Sequence, residues 1–528
     1  MSKFDEVLGA ALASYRQKRF AEALQHFEVL NELQPEQAGI LSALADVNLR
    51  VGNFERAQSA AQRAGILFGE QQPLPYCTAL GIELRAMGGS HGAAEAKARY
   101  GQIRGSLQRV YGGPIVESQR VPVLAAIAGC NVVGEDHDFA TQILRELSPG
   151  AKGIDLPAKV MPYMTVEAWC AQRGAPRQQF APPRHIRVDG PVHHWDYAVK
   201  GTYVCAIPNG EAMCGIDRVV TPDGIVLADS GHTELGEMGK QYFPCIMDRD
   251  QKKVIYLWPE SMETIDEDVL FLAGTENMMI GHWIIDVVPR LRFLEHPAFN
   301  HYRIAIPAQL GKKHLEALAM CGVDMDKLIR CEDGVRLRFR SMLVVEDPPH
   351  QSPTPGRDAF LLPHLRPPFD PGAKSLRIFV ERTMPSRRIA NDAALNGVLE
   401  KFGFERIDLA KTSLAEQRTR LGAAEIAICV YGSDSLARLF LQTGADLIEL
   451  TYNGLDSGAG GACAMTGINY HGLNCQTVDA GERILRKDCD FEVDIEVLTR
   501  LLEECVQRQR SSPYSVEPVS VRIEAMAD

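Results

Sequence analysis

The stretch Gly281 to Arg290, reading G-H-W-I-I-D-V-V-P-R, combines residue types that can move protons. His282 and Asp286 stand four apart, so on a helix they share one face about a turn from each other. Trp283, Ile284, Val287 and Val288 supply apolar surface beside them, and Pro289 forces a kink or a break. An imidazole beside a carboxylate, with Arg290 just past the kink, could do acid–base work or bind an anion. The same ten residues could equally form a surface ion pair on an ordinary amphipathic helix. A second group lies in the loop Glu381–Asn391, where Arg382, Arg387 and Arg388 follow an apolar strand and precede a helix. Guanidinium forks match phosphate oxygens and a helix N-terminus adds partial positive charge, so the loop suits a diphosphate. A third is Tyr431-Gly432-Ser433-Asp434-Ser435, again after a strand. Gly432 permits close backbone approach, and N–H groups at a helix start could hold an anion. Asp434 would repel a phosphate and is expected to cap the helix instead. Glu449 could accept hydrogen bonds from sugar hydroxyls or sit as a surface strand residue.

The elements that must position these groups form an α/β pattern. From about Val269 short apolar runs alternate with helical segments: a helix over Met278–Glu295, a strand at Tyr302–Ile306, a helix at Lys312–Cys321 and a strand at Ser341–Val345. After a proline-rich connection from Pro348 to Pro371 the alternation restarts. Leu376–Val380, Glu405–Leu409, Ile426–Val430 and Asp446–Leu450 are strands, and Ser413-Leu414-Ala415-Glu416 is a capping box. Such alternation implies parallel sheets covered by helices, with ligands at the carboxyl ends of the strands. Two units imply two Rossmann-like lobes facing across a cleft. A β-rich entry precedes them, with strands expected over Tyr197–Ile207 and Arg218–Ala228.

Residues 4 to about 105 repeat with an offset of 34 residues: Ala11 with Ala45, Phe20 with Phe54, Ala23 with Ala57, Leu30 with Ala64. This resembles tetratricopeptide repeats, two clear and a third over Leu74–Ile103 that loses register at Gly88-Gly89-Ser90. Such arrays bind peptides, partner proteins or another copy of the chain. The expected division is helical repeats at 1–110, a linker or adaptor at 111–185, an acceptor-side lobe at 186–365, a nucleotide-sugar-side lobe at 366–510 and a flexible tail at 511–528. Two weakly helical stretches, near Val121–Ala128 and Asp138–Leu147, fall in the linker.

Composition excludes several classes. A formal net charge of −12 over 528 residues argues against general binding to nucleic-acid backbones. The 13 cysteines show no CxxC pair and no zinc-like Cys/His spacing, which reads as reduced thiols in a cytoplasmic protein. No signal-peptide pattern opens the sequence and no run of about 18 apolar residues occurs, so any membrane association is expected to be peripheral.

Taken together, His282-Trp283-x-x-Asp286-x-x-Pro289-Arg290, the loop Arg382 to Asn391, and Tyr431-Gly432-x-x-x-Leu436-x-x-Leu439-Phe440 followed by Gly444-Ala445-x-x-Ile448-Glu449 resemble the family 61 glycosyltransferases in residue type and order. The resemblance covers about 190–510. It implies a GT-B-like fold and inverting transfer from a nucleotide sugar to a glycan, lipid-linked glycan or protein, generally without an essential metal and with no cofactor. On it, His282 and Asp286 are the candidate base and its orienting partner. Arg382, Arg387, Arg388, Tyr431, Gly432, Ser433, Asp434, Ser435 and Glu449 are the donor-binding candidates. Trp283, Arg290 and Asn391 are expected to shape the cleft. The chain departs from the pattern at Tyr431-Gly432-Ser433 (usually His-Gly-Ala), Arg438 (usually Asn), Thr443-Gly444 (usually Pro-Gly) and Glu381 (usually Ser). These departures leave a non-catalytic scaffold or glycan-binding protein as the alternative. Asp-x-Asp triplets, among them those beginning at Asp248, Asp324 and Asp488, occur as often as chance gives in an acidic chain and do not by themselves argue for a metal.

Overall fold

A computed structural model describes residues 3–16, 19–147, 156–189, 194–214, 218–230, 245–248, 252–272, 280–332, 334–347, 355–370, 375–383, 387–452, 458–478, 489–516 and 520–525. The N-terminal region is all helical: α1 (Lys3–Arg16), α2 (Phe20–Leu33), α3 (Ala38–Arg50), α4 (Phe54–Phe68), α5 (Pro73–His91), α6 (Ala93–Gly112), α7 (Glu117–Val133) and α8 (His137–Leu147). The repeating small residues sit where helices approach, with Ala11, Ala23, Ala45 and Ala57 fully buried. Gly88-Gly89-Ser90 is no interruption; it forms the last turn of α5. A Cβ on Gly89 would lie 2.7 Å from the ring of Phe54, so glycine is what lets that ring seat on the next unit.

The stretch expected as a linker or small helical adaptor opens with two helices. Its helices α7 and α8 form a fourth hairpin, tied to α6 through Tyr100, whose hydroxyl donates to Asn131 (2.9 Å) and Asp136 (2.8 Å). Beyond them the strand Ala158–Met164 pairs with Lys253–Leu257. Residues of these strands, such as Met161, Tyr256 and Leu257, share one core with Leu107, Leu124 and Ile143 of the helices. That common buried surface packs the helical array against the next domain.

The first lobe is built on β1 (Gln178–Ala181), β2 (Thr202–Pro208), β3 (Met262–Phe271), β4 (Arg303–Pro307), β5 (Ile329–Cys331) and β6 (Arg336–Glu346), in the order β5-β4-β3-β6-β2-β1. The first four of that order run parallel and the last two pairings are antiparallel. The entry strands differ from expectation. Tyr197–Ile207 is split, because His194–Val199 and Thr202–Pro208 join different sheets. Of Arg218–Ala228, only Val226–Leu227 is strand, with Val220 making isolated bridges to Glu211 and Val226.

The second lobe holds β7 (Leu376–Val380), β8 (Glu405–Ile407), β9 (Ala424–Val430), β10 (Asp446–Tyr452), β11 (Asn469–Val478) and β12 (Asp490–Glu492), ordered β8-β7-β9-β10-β11-β12. All pairings are parallel except the last. The uninterrupted apolar run Ile426–Val430 is fully buried, as a parallel strand covered on both faces requires. Between the lobes lies α9 (Pro355–Leu365), inside the proline-rich connection. Within the segment expected as a flexible tail, 511–528, the described residues make contacts with the rest of the chain. Ser520–Ala525 pairs with Arg184–Asp189, and the Ser515 carbonyl accepts from Asn469 Nδ2 at 3.0 Å.

Candidate functional site

The Gly281 helix starts shortly beyond the carboxyl end of β3, yet it is not one regular helix. Ile280–His282 is α-helical, Trp283–Val287 widens to a π-turn, and Val288–Glu295 narrows to 3-10 geometry. Pro289 explains the change. It offers no N–H, and its ring collides with the carbonyl four residues back in a regular helix, so the backbone closes Val288 N–H onto the Trp283 carbonyl instead. Single π-turns of this kind recur at functional sites. Despite the distortion His282 and Asp286 still meet, Nδ1 to Oδ2 at 2.9 Å. Asp286 is buried and His282 keeps some exposure (1% and 19% by side chain), so the imidazole is the member of the pair that can reach solvent. With Nδ1–H donated to the carboxylate, the second nitrogen, Nε2, is the one able to accept a proton. Trp283 and Arg290 belong to the packing. The indole is fully buried and donates to the His314 carbonyl at 3.0 Å, and Arg290 is buried within the same helical segment.

Sequence reading missed the groups behind Asp286. Arg357 of α9 donates through Nη1 to Asp286 Oδ1 at 3.0 Å and through Nε to Asp347 Oδ2 at 3.2 Å. Arg292 grips both oxygens of Asp347 at 2.7 and 2.9 Å. Burial alone would raise the Asp347 carboxyl, but Arg357 and Arg292 overcome it and hold the group at about 2. Asp347 directly follows β6, at a strand's carboxyl end, and that position was its one sequence signal. Arg357 lies in a connection that carries none.

Across the cleft the Gly432 turn meets this helix directly. A Cβ on Gly281 would lie 3.1 Å from Ser433 Oγ, so the two lobes touch where the dyad begins. Gly432 has φ +128° and ψ −143°, a conformation essentially reserved for glycine. A Cβ there would be 2.4 Å from Arg387 Nη1 and 3.8 Å from Arg382 Nη1. Two guanidinium groups therefore converge on the turn. Arg387, itself at φ +60°, donates to the Tyr431 carbonyl at 2.8 Å and lies 5.8 Å from the Tyr431 ring centroid. Arg382 pairs with Asp434 at 3.0 Å. Burial pushes the Asp434 carboxyl up, against the pull of Arg382.

Several expected donor-site roles change in this geometry. Arg388 turns away: its backbone N–H and guanidinium all bond Asp490, and its side chain is 66% exposed. Asp434 does not cap the following turn. Ser435 does the local bonding, its Oγ accepting from Gly432 N–H at 3.3 Å while its own N–H donates to the Gly432 carbonyl at 3.0 Å. Those two N–H groups are thus satisfied internally, and the segment Ser433–Leu439 is a short 3-10 turn instead of an α-helix, so the arginines carry the positive charge. Glu449 is neither a surface residue nor open to hydroxyls. It is fully buried and accepts from Ser435 Oγ and, at 2.7 Å, from the Tyr470 hydroxyl. Asn391 exchanges two hydrogen bonds with the Val493 backbone (2.8 and 3.0 Å), fastening the arginine loop to the segment after β12.

One further cluster, Asp446, His471 and Cys505, brings a ligand atom from each residue within 4.8 Å of the others. Arg508 already fills it with a cation: its Nη2 bonds Asp446 and lies 3.1 Å from His471 Nε2 and 3.6 Å from Cys505 Sγ. Asp446 opens β10, so this group sits at the opposite end of the sheet from Gly432.

Residues 280–448 match the family model described as Glycosyltransferase 61. The match begins at the Gly281 helix and spans α9, the arginine loop and the Gly432 turn. No curated protein matches the chain. Among solved structures, a mutant of the Thermobaculum terrenum O-GlcNAc transferase aligns over 98% of this chain and 95% of its own length, at 9% identity and a TM-score of 0.21. Among the described residues no helix is long and apolar enough to cross a membrane. Residues 280–448 thus form a glycosyltransferase 61 domain, and the chain is a glycosyltransferase.

Proposed function

We propose that the chain transfers a sugar from a nucleotide-sugar donor with inversion and without an essential metal. The observation that supports this most is the approach of the His282–Asp286 pair to a glycine turn on which Arg382 and Arg387 converge. An inverting displacement needs a base on the acceptor hydroxyl and positive charge on the departing diphosphate. His282 Nε2 takes the acceptor proton, and Asp286 holds Nδ1–H and stabilises the imidazolium that forms. Asp286 is the weaker candidate for base: it is buried and both of its oxygens are engaged, Oδ1 by Arg357 and Oδ2 by His282. Arg382 and Arg387 neutralise the leaving diphosphate, the task a divalent cation performs elsewhere. The helical array presents a polysaccharide or protein acceptor, and the chain works in the cytoplasm or at a membrane surface.

The test is a panel of uridine, guanosine and cytidine nucleotide sugars, followed by nucleotide release and by NMR of the product anomer, with and without EDTA. His282→Ala and Asp286→Asn should lower transfer by roughly 10²–10⁴-fold at saturating donor. Retained anomeric configuration, loss of activity with EDTA, or wild-type rates in both variants would each count against the proposal.

A further inference from the structure

The inter-lobe helix α9 carries two adjacent charged residues that face different lobes. Arg357 reaches into the first lobe, to Asp286 and Asp347. Asp358, the next residue, accepts from Arg438 Nη1 at 3.1 Å. Arg438 belongs to the 3-10 turn that starts beside Gly432. All five side chains are at most 12% exposed. Neighbouring residues on a helix point about 100° apart, so two such bonds fix its rotation about its own axis as well as its position.

We infer that Arg357 is a positioning residue for the transfer reaction, and that the Asp358–Arg438 pair holds α9 so that Arg357 aligns the His282–Asp286 dyad only when the second lobe is seated against it. The inference rests on the proposed role of the dyad and adds a dependence of that dyad on a residue in the opposite lobe. Arg357 fixes one oxygen of Asp286, which leaves the other to take His282 Nδ1–H along a single direction. Burial makes the arrangement all-or-none in character, because a buried carboxylate that loses a partner is strongly penalised. Behind the dyad, Arg357 of α9 bonds Asp286 and also Asp347 after β6, Arg292 bonds Asp347, and the charge of Arg290 acts on Asp347 as well, while Asp358 faces Arg438 of the second lobe. His314 lies beside Trp283, and Arg382, Arg387 and Asp434 surround the Gly432 turn.

The test reads the dyad directly and needs no donor. The full chain is labelled with 13C-histidine, the His282 resonance is assigned by its loss in His282→Ala, and its titration midpoint is followed by NMR. Arg357→Met removes a positive charge that offsets Asp286, so the midpoint should move measurably to higher pH. Arg357→Lys keeps the charge and should move it less. Arg438→Gln, across the interface and not bonded to Asp286, should raise it in the same direction by a smaller amount, as α9 loosens. Near-UV circular dichroism separates these shifts from misfolding, and Arg357→Lys serves if Arg357→Met does not fold. An unmoved midpoint in folded Arg357 variants would overturn the positioning role. A shift with Arg357→Met but none with Arg438→Gln would overturn the link between lobes. Failure of the catalytic reading looks different: His282→Ala would keep transfer while the midpoint still responded to Arg357.

Discussion

Gly432→Ala tests whether the converging arginines hold the donor diphosphate. Two costs follow from the structure. The backbone at φ +128°, ψ −143° lies where a side chain is strained by about 1–3 kcal/mol. The new Cβ would also lie 2.4 Å from Arg387 Nη1, more than an ångström inside an ordinary contact of about 3.5 Å. Arg387 is long and flexible at that end, so it swings away and gives up its bond to the Tyr431 carbonyl; the steric cost is small and the functional cost is not. A charge-assisted hydrogen bond contributes about 1.5–3 kcal/mol. Losing one such contact to the diphosphate weakens binding about 10- to 100-fold. Titration calorimetry with UDP and GDP reads that loss, and a thermal melt reads the strain, about 2–10 °C for a lobe of this size. A folded Gly432→Ala protein with wild-type nucleoside diphosphate affinity would refute the reasoning, since the turn and Arg387 could not then be part of the site.

Arg387→Ala and Arg388→Ala should separate cleanly in the same titration. The first should weaken diphosphate binding about tenfold or more, and the second should leave it nearly unchanged, because an exposed pair such as Arg388–Asp490 contributes little. Asp347 gives a pH prediction. Its carboxyl is lowered from 3.8 to about 2 in the fold, so it contributes about 2 kcal/mol above the unfolded value, lost as pH falls from about 4 through 2. Asp347→Asn should cost about 3–5 kcal/mol in denaturant melts at pH 7, with the gap to wild type narrowing at pH 2–3. Gly444→Ala should destabilise the second lobe by about 3 kcal/mol or more, since its φ is +82° and a Cβ would fall 1.7 Å from the Tyr514 carbonyl oxygen. Proteolysis of the C-terminal segment would report its release.

What could be read from the sequence was what local pattern determines. Buried parallel strands announce themselves as apolar runs, and Ser413 caps its helix by accepting from Glu416 N–H because that bond spans three residues. The Gly281 helix was legible as a dyad next to a proline, but its π-turn was not, since helix type depends on how the carbonyls around Pro289 find donors. Long-range partners were invisible. Glu449 reads as a free carboxylate until Tyr470, 21 residues on, and Ser435 close around it. The tail reads as unstructured because Val521 and Ile523 stay 41% and 50% exposed even in their strand, so no strong burial pattern marks it. The fourth helical hairpin showed only as two weakly helical stretches, because Pro122 inside α7 ordinarily argues against a helix.

The departures from the family pattern are the sharpest case of a partner that sequence cannot show. An arginine where an asparagine is usual would be ruinous in a buried position without an opposite charge. Arg438 has one: Asp358 lies 3.1 Å away, and the pair is nearly excluded from solvent. Tyr431 replaces a histidine, yet its ring lies beside the Arg387 guanidinium at 5.8 Å and its carbonyl accepts from it. Glu381 replaces a serine and pairs with Arg406 at 3.4 Å. A site decaying into a scaffold has no reason to supply a buried new charge such as Arg438 with a partner drawn from a different element. The pairing therefore argues for a donor pocket rebuilt around different contacts. The same reasoning exposes it to test: returning Arg438 to Asn alone would strand Asp358 and should impair the enzyme, whereas Arg438→Asn with Asp358→Ala should recover much of the stability and, if α9 acts as proposed, little of the transfer rate.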